Sequence, residues 1–154
     1  MSDQTLSQFD FVIAALHSDE KLSPSEATMR TIKAIQNPHT TILAHPNGQL
    51  LGSDESHPIE LDLIMEACLE NQVVIELNCT PTRMDLNWEE VRAASKMGLT
   101  VAVNPDAHSV DALSDYIHGV KIARKGLLPK TQCLNTLSRE EFEIWLQQRN
   151  SNRI

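Results

Sequence analysis

The sequence predicts an α/β fold built on a parallel sheet. Four short apolar runs recur along the chain, and each is followed by polar residues and then by a segment with helical spacing. This rhythm is typical of repeated βα units. The runs are nearly continuous rather than alternating, as expected for parallel strands buried on both faces. A length of 154 residues is enough to bury roughly 70% of the surface of the unfolded chain, so we expect one domain spanning residues 1–154.

The first repeat pairs a strand over Phe9 to Leu16 with a capped helix. Ser23 is suited to the N-cap, Pro24 to the first helical position, and Glu26 completes a capping box with Ser23. The helix is expected to stop before Pro38, which cannot continue it. Its core face is expected to carry Met29, Ile32 and Ile35.

The second repeat has a strand over Thr41 to Ala44 and a helix from about Ile59 to Asn71. We expect this helix to turn Leu63, Ala67 and Leu69 toward the core. The loop between strand and helix, residues 45–58, is polar and contains glycine. Loops of this length in a compact domain are often functional.

The third and fourth repeats follow the same plan. The third strand is expected over Val73 to Leu77, with a helix over Asn87 to Met97 that Gly98 terminates. The fourth strand is expected over Leu99 to Val103. The remaining elements are helices from about Val110 to Lys125 and Arg139 to Gln148, separated by a turn or short helix over Pro129 to Asn135.

Composition excludes several classes of protein. The chain has 13 Lys and Arg against 21 Asp and Glu, a net charge of -8, so tight binding to a nucleic-acid backbone is not expected. The three cysteines form no CxxC pair, which argues against a disulfide framework or a zinc knuckle. The N-terminal apolar run FVIAAL is too short for a signal peptide or a membrane span. A cytoplasmic protein without membrane association is therefore expected.

Metal-ligand residue types stand at the end of each predicted strand. Ligand sites in parallel α/β folds lie at the carboxyl ends of the strands, and neighbouring strands lie about 4.8 Å apart. Imidazoles and carboxylates from such ends suit Zn, Mn or Fe, and a site of this kind activates water and clamps a phosphoryl group. The residues in question are His17, His45, Glu76, Asn78, Asp106 and His108.

Structural roles are the alternative for each of these residues taken singly. A lone histidine is more often satisfied by a backbone carbonyl than bound to a metal. Asp106 and His108 form the strongest pair, because alternate positions of an extended loop point the same way. Glu76 has a second interpretation, an ion pair with Arg83. His39 and His57 are expected in solvent-facing turns, and His118 inside a helix, either at its surface or in packing.

Five strings, in their order and spacing, resemble a known family: FDFVIAALHS, ILAHPNGQLL, IELNCTPTRMDL, PDAHS and GVKIARKG. From about Phe9 to Arg149 the chain resembles the C-terminal part of the PHP (polymerase and histidinol phosphatase) domain, especially the PHP domain of bacterial family X DNA polymerases. The resemblance implies part of a distorted (βα)7 TIM-like barrel with divalent metals at its strand ends. The implied reaction is hydrolysis of a phosphomonoester or of a DNA 3′ end.

The resemblance also assigns roles by position. It implies His17, His45, Asp106 and His108 as metal ligands, with Asp106, His108 and Arg83 as the catalytic set and Arg83, Asn78 and Asn47 as substrate contacts. The metal is expected to be Zn, Mn or Fe. The H-x-H, T-D-H and G-x-E motifs that open the family's barrel are absent, so the chain is expected to be truncated at its N-terminal strands. Asn47 and Gln49 replace the Thr and Arg of the family's H-P-T-G-R motif.

Three functions remain open at this point. The first is a PHP-type hydrolase acting on a phosphoester, with a homodimer partner or a separate chain supplying the missing strands. The second is a catalytically incompetent PHP remnant that serves as a binding or scaffold module, because an incomplete barrel leaves a strand edge and apolar surface exposed. The third is a plain α/β domain whose histidines are incidental.

Overall fold

Four parallel strands form a single sheet in the computed structural model, which describes residues 1–17, 22–48 and 59–153. The strands are β1 (Val12–Ala14), β2 (Thr40–Leu43), β3 (Val74–Asn78) and β4 (Val101–Asn104), and they lie side by side in that order. The predicted α/β class, the parallel sheet and the βα alternation are confirmed. His57, Gln49 and most of the long loop after β2 lie outside the described residues.

In the described part of the chain six α-helices accompany the sheet: α1 (Asp3–Leu6), α2 (Pro24–Gln36), α3 (Leu61–Glu70), α4 (Trp88–Met97), α5 (Tyr116–Lys125) and α6 (Arg139–Arg153). Short 3-10 helices cover Asp111–Asp115, Lys130–Gln132 and Leu134–Thr136. The segment before α5, predicted as α-helix, is thus a 3-10 helix. Helix α6 continues five residues past the predicted Gln148, and α1 was not predicted. None of the helices in the described ranges is long and apolar enough to cross a membrane.

The predicted helix ends are confirmed where the capping chemistry is local. The Ser23 hydroxyl accepts the Glu26 N–H at 3.3 Å, and the Glu26 carboxylate accepts the Ser23 N–H at 2.9 Å, which closes the capping box of α2. Helix α4 has a second box, formed by Asn87 and Glu90. Gly98 ends α4 with φ of +88°, a left-handed conformation that glycine adopts without strain.

Helices α2 to α5 cover one face of the sheet, and the helix faces turned to the core differ from those predicted. Helix α2 buries Ala27, Thr28, Thr31 and Ile35, whereas Met29 is 63% exposed. Helix α3 buries Ile64, Met65, Ala67 and Cys68, and leaves Leu63 and Leu69 more than 40% exposed. The predictions for Met29, Leu63 and Leu69 are therefore wrong. Apolar residues occur on several sides of α3, so its pattern does not select one face.

Helix α6 covers the opposite face of the sheet. Its Phe142 and Trp145 pack with Leu134 on a cluster formed by Ile42, Val74 and Ala102, one residue each from β2, β3 and β4. The buried Arg149 fastens the helix by donating to the backbone carbonyls of Gln72, at 3.0 Å, and Thr40. These carbonyls lie near the starts of β3 and β2, so α6 leaves the carboxyl ends of the strands open.

The two edges of the sheet are treated differently. At the β4 edge, the Asn135 side chain accepts the N–H of Val103 at 2.6 Å and donates to its carbonyl at 3.1 Å, as a neighbouring strand would. At the other edge, β1 pairs only with β2 within the described part of the chain. Ile13 is 49% exposed there, and the preceding Phe9 and Phe11 are 59% and 43% exposed. The expected exposed strand edge is therefore at β1.

Candidate functional site

The carboxyl ends of the four strands bring most of the predicted residues into one region. His17 follows β1, His45 follows β2, Asn78 ends β3, and Asp106 follows β4. The register of the parallel pairs places neighbouring strand ends side by side. Ligand sites are typical of this edge in parallel α/β sheets.

His45 is the most constrained histidine of this region. It is only 6% exposed and has φ of +28°, and its ring nitrogen Nδ1 is buried with no hydrogen-bond partner in the described part of the chain. Burial lowers the pKa of His45, and the positive charges of Arg83 and His17 lower it further. A buried polar atom without a partner is costly, so a neutral imidazole here is poised to take a ligand on Nδ1.

The ring of His17 faces this imidazole. The two ring centroids lie 5.0 Å apart with the planes at 70°, while the His17 residue itself is exposed. Two imidazoles from adjacent strand ends are therefore in contact.

Glu76 holds the ends of three strands together. Its Oε2 accepts the backbone N–H of His45 at 2.8 Å and the Asn78 side-chain amide at 3.2 Å, and its Oε1 accepts the Asn104 amide at 2.9 Å. Burial raises the pKa of this carboxyl despite the three donors. Glu76 thus orients the His45 backbone, and the alternative ion pair with Arg83 is replaced by this network.

Arg83 lies against Asp106 instead. Its Nε is 3.9 Å from Asp106 Oδ2, and the same carboxylate oxygen accepts the Asn78 amide at 3.1 Å. A second guanidinium nitrogen of Arg83 donates to the carbonyl of Gly48 at 3.4 Å. The loops after β2, β3 and β4 therefore meet around this guanidinium.

His108 is placed differently from the prediction. Asp106 has φ of +50°, so the loop turns at this residue and is not extended. The Nδ1 of His108 lies 2.7 Å from the Asp106 carbonyl oxygen, and the residue is exposed. The expectation that Asp106 and His108 share an extended loop is wrong, because a left-handed residue breaks the alternation on which it depends.

Asn47 points toward the start of α4. Its side-chain amide donates to Asp85 at 2.9 Å and lies 3.3 Å and 3.4 Å from the two carboxylate oxygens of Glu90. Its role as a substrate contact stays a prediction. Asp85 itself was not singled out in the sequence, because nothing in the string TRMDL distinguishes a buried carboxylate from an exposed loop residue.

An open cavity of about 780 Å³ adjoins these strand ends on the face covered by α6. Glu76, Asn104 and Asp106 contribute its polar wall, while Ile13, Ile42 and Phe142 contribute part of its apolar wall. The cavity therefore joins the polar strand ends to the exposed edge of β1.

The donor set fits a divalent cation in part. His17 and His45 offer two imidazoles, and the Nδ1 of His45, without a partner in the described part of the chain, is a donor atom for a cation. Across residues 1–17, 22–48 and 59–153, however, no group of three or more His, Cys, Asp or Glu side chains is placed to hold a metal ion. A protein zinc site ordinarily has three or four protein ligands, so this arrangement is an incomplete one.

Comparison with known proteins finds relatives over nearly the whole chain. The chain is 35% identical over 146 residues to the DNA polymerase/3'-5' exonuclease PolX of Bacillus subtilis (strain 168), which is 94% of this chain and 25% of that protein. It is 29% identical over 159 residues to a probable phosphatase of Caldanaerobacter subterraneus subsp. tengcongensis, covering 97% of this chain and 59% of that protein. A probable phosphatase of Thermoanaerobacter sp. (strain X514) is 28% identical over 85% of this chain.

No family model matches the chain. The chain spans a quarter of the length of the Bacillus subtilis protein and between 55% and 59% of the two phosphatases. The similarity therefore extends along this chain but covers only part of each relative.

Proposed function

We propose that this chain is part of a PHP-type (βα)7 barrel and that it acts in metal-dependent hydrolysis of a phosphoester. The substrate is a phosphomonoester or a DNA 3′ end, which are the two branches that the resemblance implies. The names of the relatives, a polymerase with a 3'-5' exonuclease and several probable phosphatases, support this chemistry. The parallel βα arrangement supports a partial barrel.

The observation that carries the proposal is the buried Nδ1 of His45, which has no hydrogen-bond partner among the described residues and lies beside the ring of His17. These two residues would hold a divalent cation, with Asp106 and His108 as further donors on the loop after β4. A bound cation of this kind lowers the pKa of water and neutralises phosphoryl oxygens. Within residues 1–17, 22–48 and 59–153 fewer than three such donors come together, and the proposal includes a homodimer partner or a separate chain as a source of further donors.

The protein's own groups would bind and orient the phosphoester. The planar guanidinium of Arg83 suits two phosphate oxygens at once, and its 21% exposed side chain is accessible to a ligand. Asn78 holds the Asp106 carboxylate by its amide, and Glu76 holds the backbone of His45. These hydrogen bonds hold Asp106 and His45 in position before the substrate binds.

The test combines metal content with hydrolysis. The purified chain would be analysed for bound metal, then assayed on p-nitrophenyl phosphate and on a short DNA oligonucleotide with and without Mn²⁺ or Zn²⁺. We expect metal-dependent hydrolysis that His45→Asn abolishes, since Asn tolerates the positive φ of this position. The matched control is His118→Asn on α5, which should keep the activity. A metal-free protein that hydrolyses neither substrate with any ion would refute the proposal.

The second candidate is a binding or scaffold module, which the exposed β1 edge favours. Phe9, Phe11 and Ile13 stay accessible beside an edge strand, and such edges pair readily with other chains. Under this function the chain self-associates or docks onto a chain that supplies the adjacent strand. Sedimentation at low micromolar concentration discriminates: association is expected, and a monomer at all concentrations would count against it.

A further inference from the structure

Asp85 lies on the loop after β3, two residues after Arg83, and its side chain contacts the loop that carries His45. It follows β3 by seven residues, and it is only 3% exposed although its side chain is a carboxylate. Its backbone pairs with the end of β3: the Asp85 N–H donates to the Asn78 carbonyl at 3.1 Å, and the Asn78 N–H donates to the Asp85 carbonyl. This residue is thus attached firmly to one strand end.

The side chain of Asp85 holds the turn that follows β2. Its Oδ2 accepts the backbone N–H groups of Asn47 and Gly48, both at 3.0 Å, and its Oδ1 accepts the Asn47 side-chain amide at 2.9 Å. Three donors from one turn therefore converge on one carboxylate.

The turn held in this way begins at His45. His45 has φ of +28° and Gly48 has φ of +60°, and the Gly48 N–H also donates to the His45 carbonyl at 2.9 Å. Left-handed residues at both ends make the turn a conformation that the surrounding contacts must maintain. The contacts of Asp85 maintain this conformation, because its carboxylate holds the backbone N–H groups of Asn47 and Gly48.

Arg83 is held by the same two loops. It precedes Asp85 by two residues, and its guanidinium donates to the carbonyl of Gly48 at 3.4 Å. Gly48 is therefore bonded twice to the loop after β3: its N–H donates to Asp85, and its carbonyl accepts from Arg83.

We propose that Asp85 is a positioning residue, which fixes His45 against His17 and beside Arg83 by holding the N–H groups of Asn47 and Gly48. The inference deepens the proposed function, and the functional role that it gives Asp85 rests on that function. The geometry itself is tested separately, because the contact between the two histidine rings is measurable without any substrate.

The test is Asp85→Asn, which keeps the size of the side chain but offers one oxygen to three donors. Amide hydrogen exchange at Asn47 and Gly48 should become at least 10-fold faster, while exchange in β4 stays unchanged. The nuclear Overhauser effect between the rings of His17 and His45 should be lost, and binding of inorganic phosphate should weaken at least 10-fold. The matched control is Glu90→Gln, since Glu90 contacts the Asn47 side chain and not the two backbone N–H groups.

Two outcomes would overturn the inference: unchanged exchange at Asn47 and Gly48, or faster exchange with the ring contact retained. If Asp85→Asn does not fold, the test is made on the parent protein by measuring amide exchange at different pH values. Its exchange protection at these two amides, corrected for intrinsic rates, should decrease as Asp85 ionises, because opening the turn exposes a carboxylate whose pKa is raised by burial. Glu90 and Arg83 are the charged groups nearest the turn. No such pH dependence at the two amides would also overturn it. A parent that hydrolyses nothing, with the ring contact still dependent on Asp85, would refute the proposed function and leave this inference standing.

Discussion

The imidazole rings of His17 and His45 meet edge to face with their centroids 5.0 Å apart. They follow adjacent parallel strands, so the sheet brings together two residues that the chain keeps apart. His17 is exposed, whereas His45 is buried and its Nδ1 has no partner within residues 1–17, 22–48 and 59–153. A ligand could therefore approach from the exposed His17 and meet the neutral imidazole of His45.

A divalent cation should stabilise the protein through this pair. At a Zn²⁺ concentration 100 times the dissociation constant, linkage gives about 2.7 kcal/mol, which raises the Tm of a chain of this size by about 5 to 10 °C. His45→Asn should lose this increase, whereas His118→Asn should keep it. Differential scanning fluorimetry with and without Zn²⁺ measures the effect. An equal increase in the parent and in His45→Asn would contradict the prediction.

Asp85 should make stability depend on pH. Burial raises its pKa from 3.8 to about 7, and the nearby Glu90 adds to the shift. Between these two values the folded protein keeps a proton that the unfolded chain has released, so stability falls as the pH rises through this range. From pH 5 to pH 8 we expect the free energy of unfolding of the parent to fall by about 3 kcal/mol relative to that of Asp85→Asn.

Urea unfolding at the two pH values checks this difference. Asp62→Asn, which changes an exposed carboxylate on α3, is the control and should follow the parent at both pH values. A difference between the parent and Asp85→Asn that is the same at pH 5 and pH 8 would show that Asp85 is not protonated in the folded protein at pH 5.

Arg149→Lys should loosen α6. The guanidinium of Arg149 reaches the carbonyls of Gln72 and Thr40 from a site only 4% exposed. A lysine ammonium lacks the planar fork, so we expect one of these buried carbonyls to lose its donor, at a cost of about 1 to 3 kcal/mol. Urea unfolding measures the loss. Arg139→Lys, at an exposed position of the same helix, should leave the unfolding curve unchanged, and an equal effect of both changes would argue against this role of Arg149.

Gly119→Ala should push α5 off the sheet. A β-carbon at residue 119 would lie 2.0 Å from the Cys79 thiol sulfur and 2.8 Å from a methyl of Val103. Overpacking of this kind costs about 1 to 3 kcal/mol, which exceeds the gain of up to about 1 kcal/mol from replacing a helical glycine. A net loss of about 1 kcal/mol is expected in thermal or urea unfolding.

The Cys79 thiol provides the control for this prediction. Cys79→Ala removes the sulfur that the new methyl would meet, so Gly119→Ala should cost less in that background than in the parent. Strictly additive effects would mean that the helix accommodates the methyl in another way.

The elements of this fold followed from local patterns. The four strands and the main helices lie within a few residues of their predicted positions, because continuous apolar runs and capping residues such as Ser23 and Asn87 act over a few residues of chain. Which face of each helix turns to the core was harder to predict from the sequence. Met29 and Leu69 are exposed because the neighbouring helices selected other sides of α2 and α3, and this choice depends on residues distant in the sequence.

What the sequence determined by itself was the class of fold and the edge of the sheet where polar residues gather, since strand ends and their residue types can be counted along the chain. The tertiary structure alone decided which of those residues touch. It brought His17 to His45 and Arg83 to Asp106, turned His108 back on its own loop, and buried Asp85 beneath the turn that begins at His45. The reason is physical: hydrogen bonds between loops depend on positive φ values and on burial, and both arise only after the strands have paired.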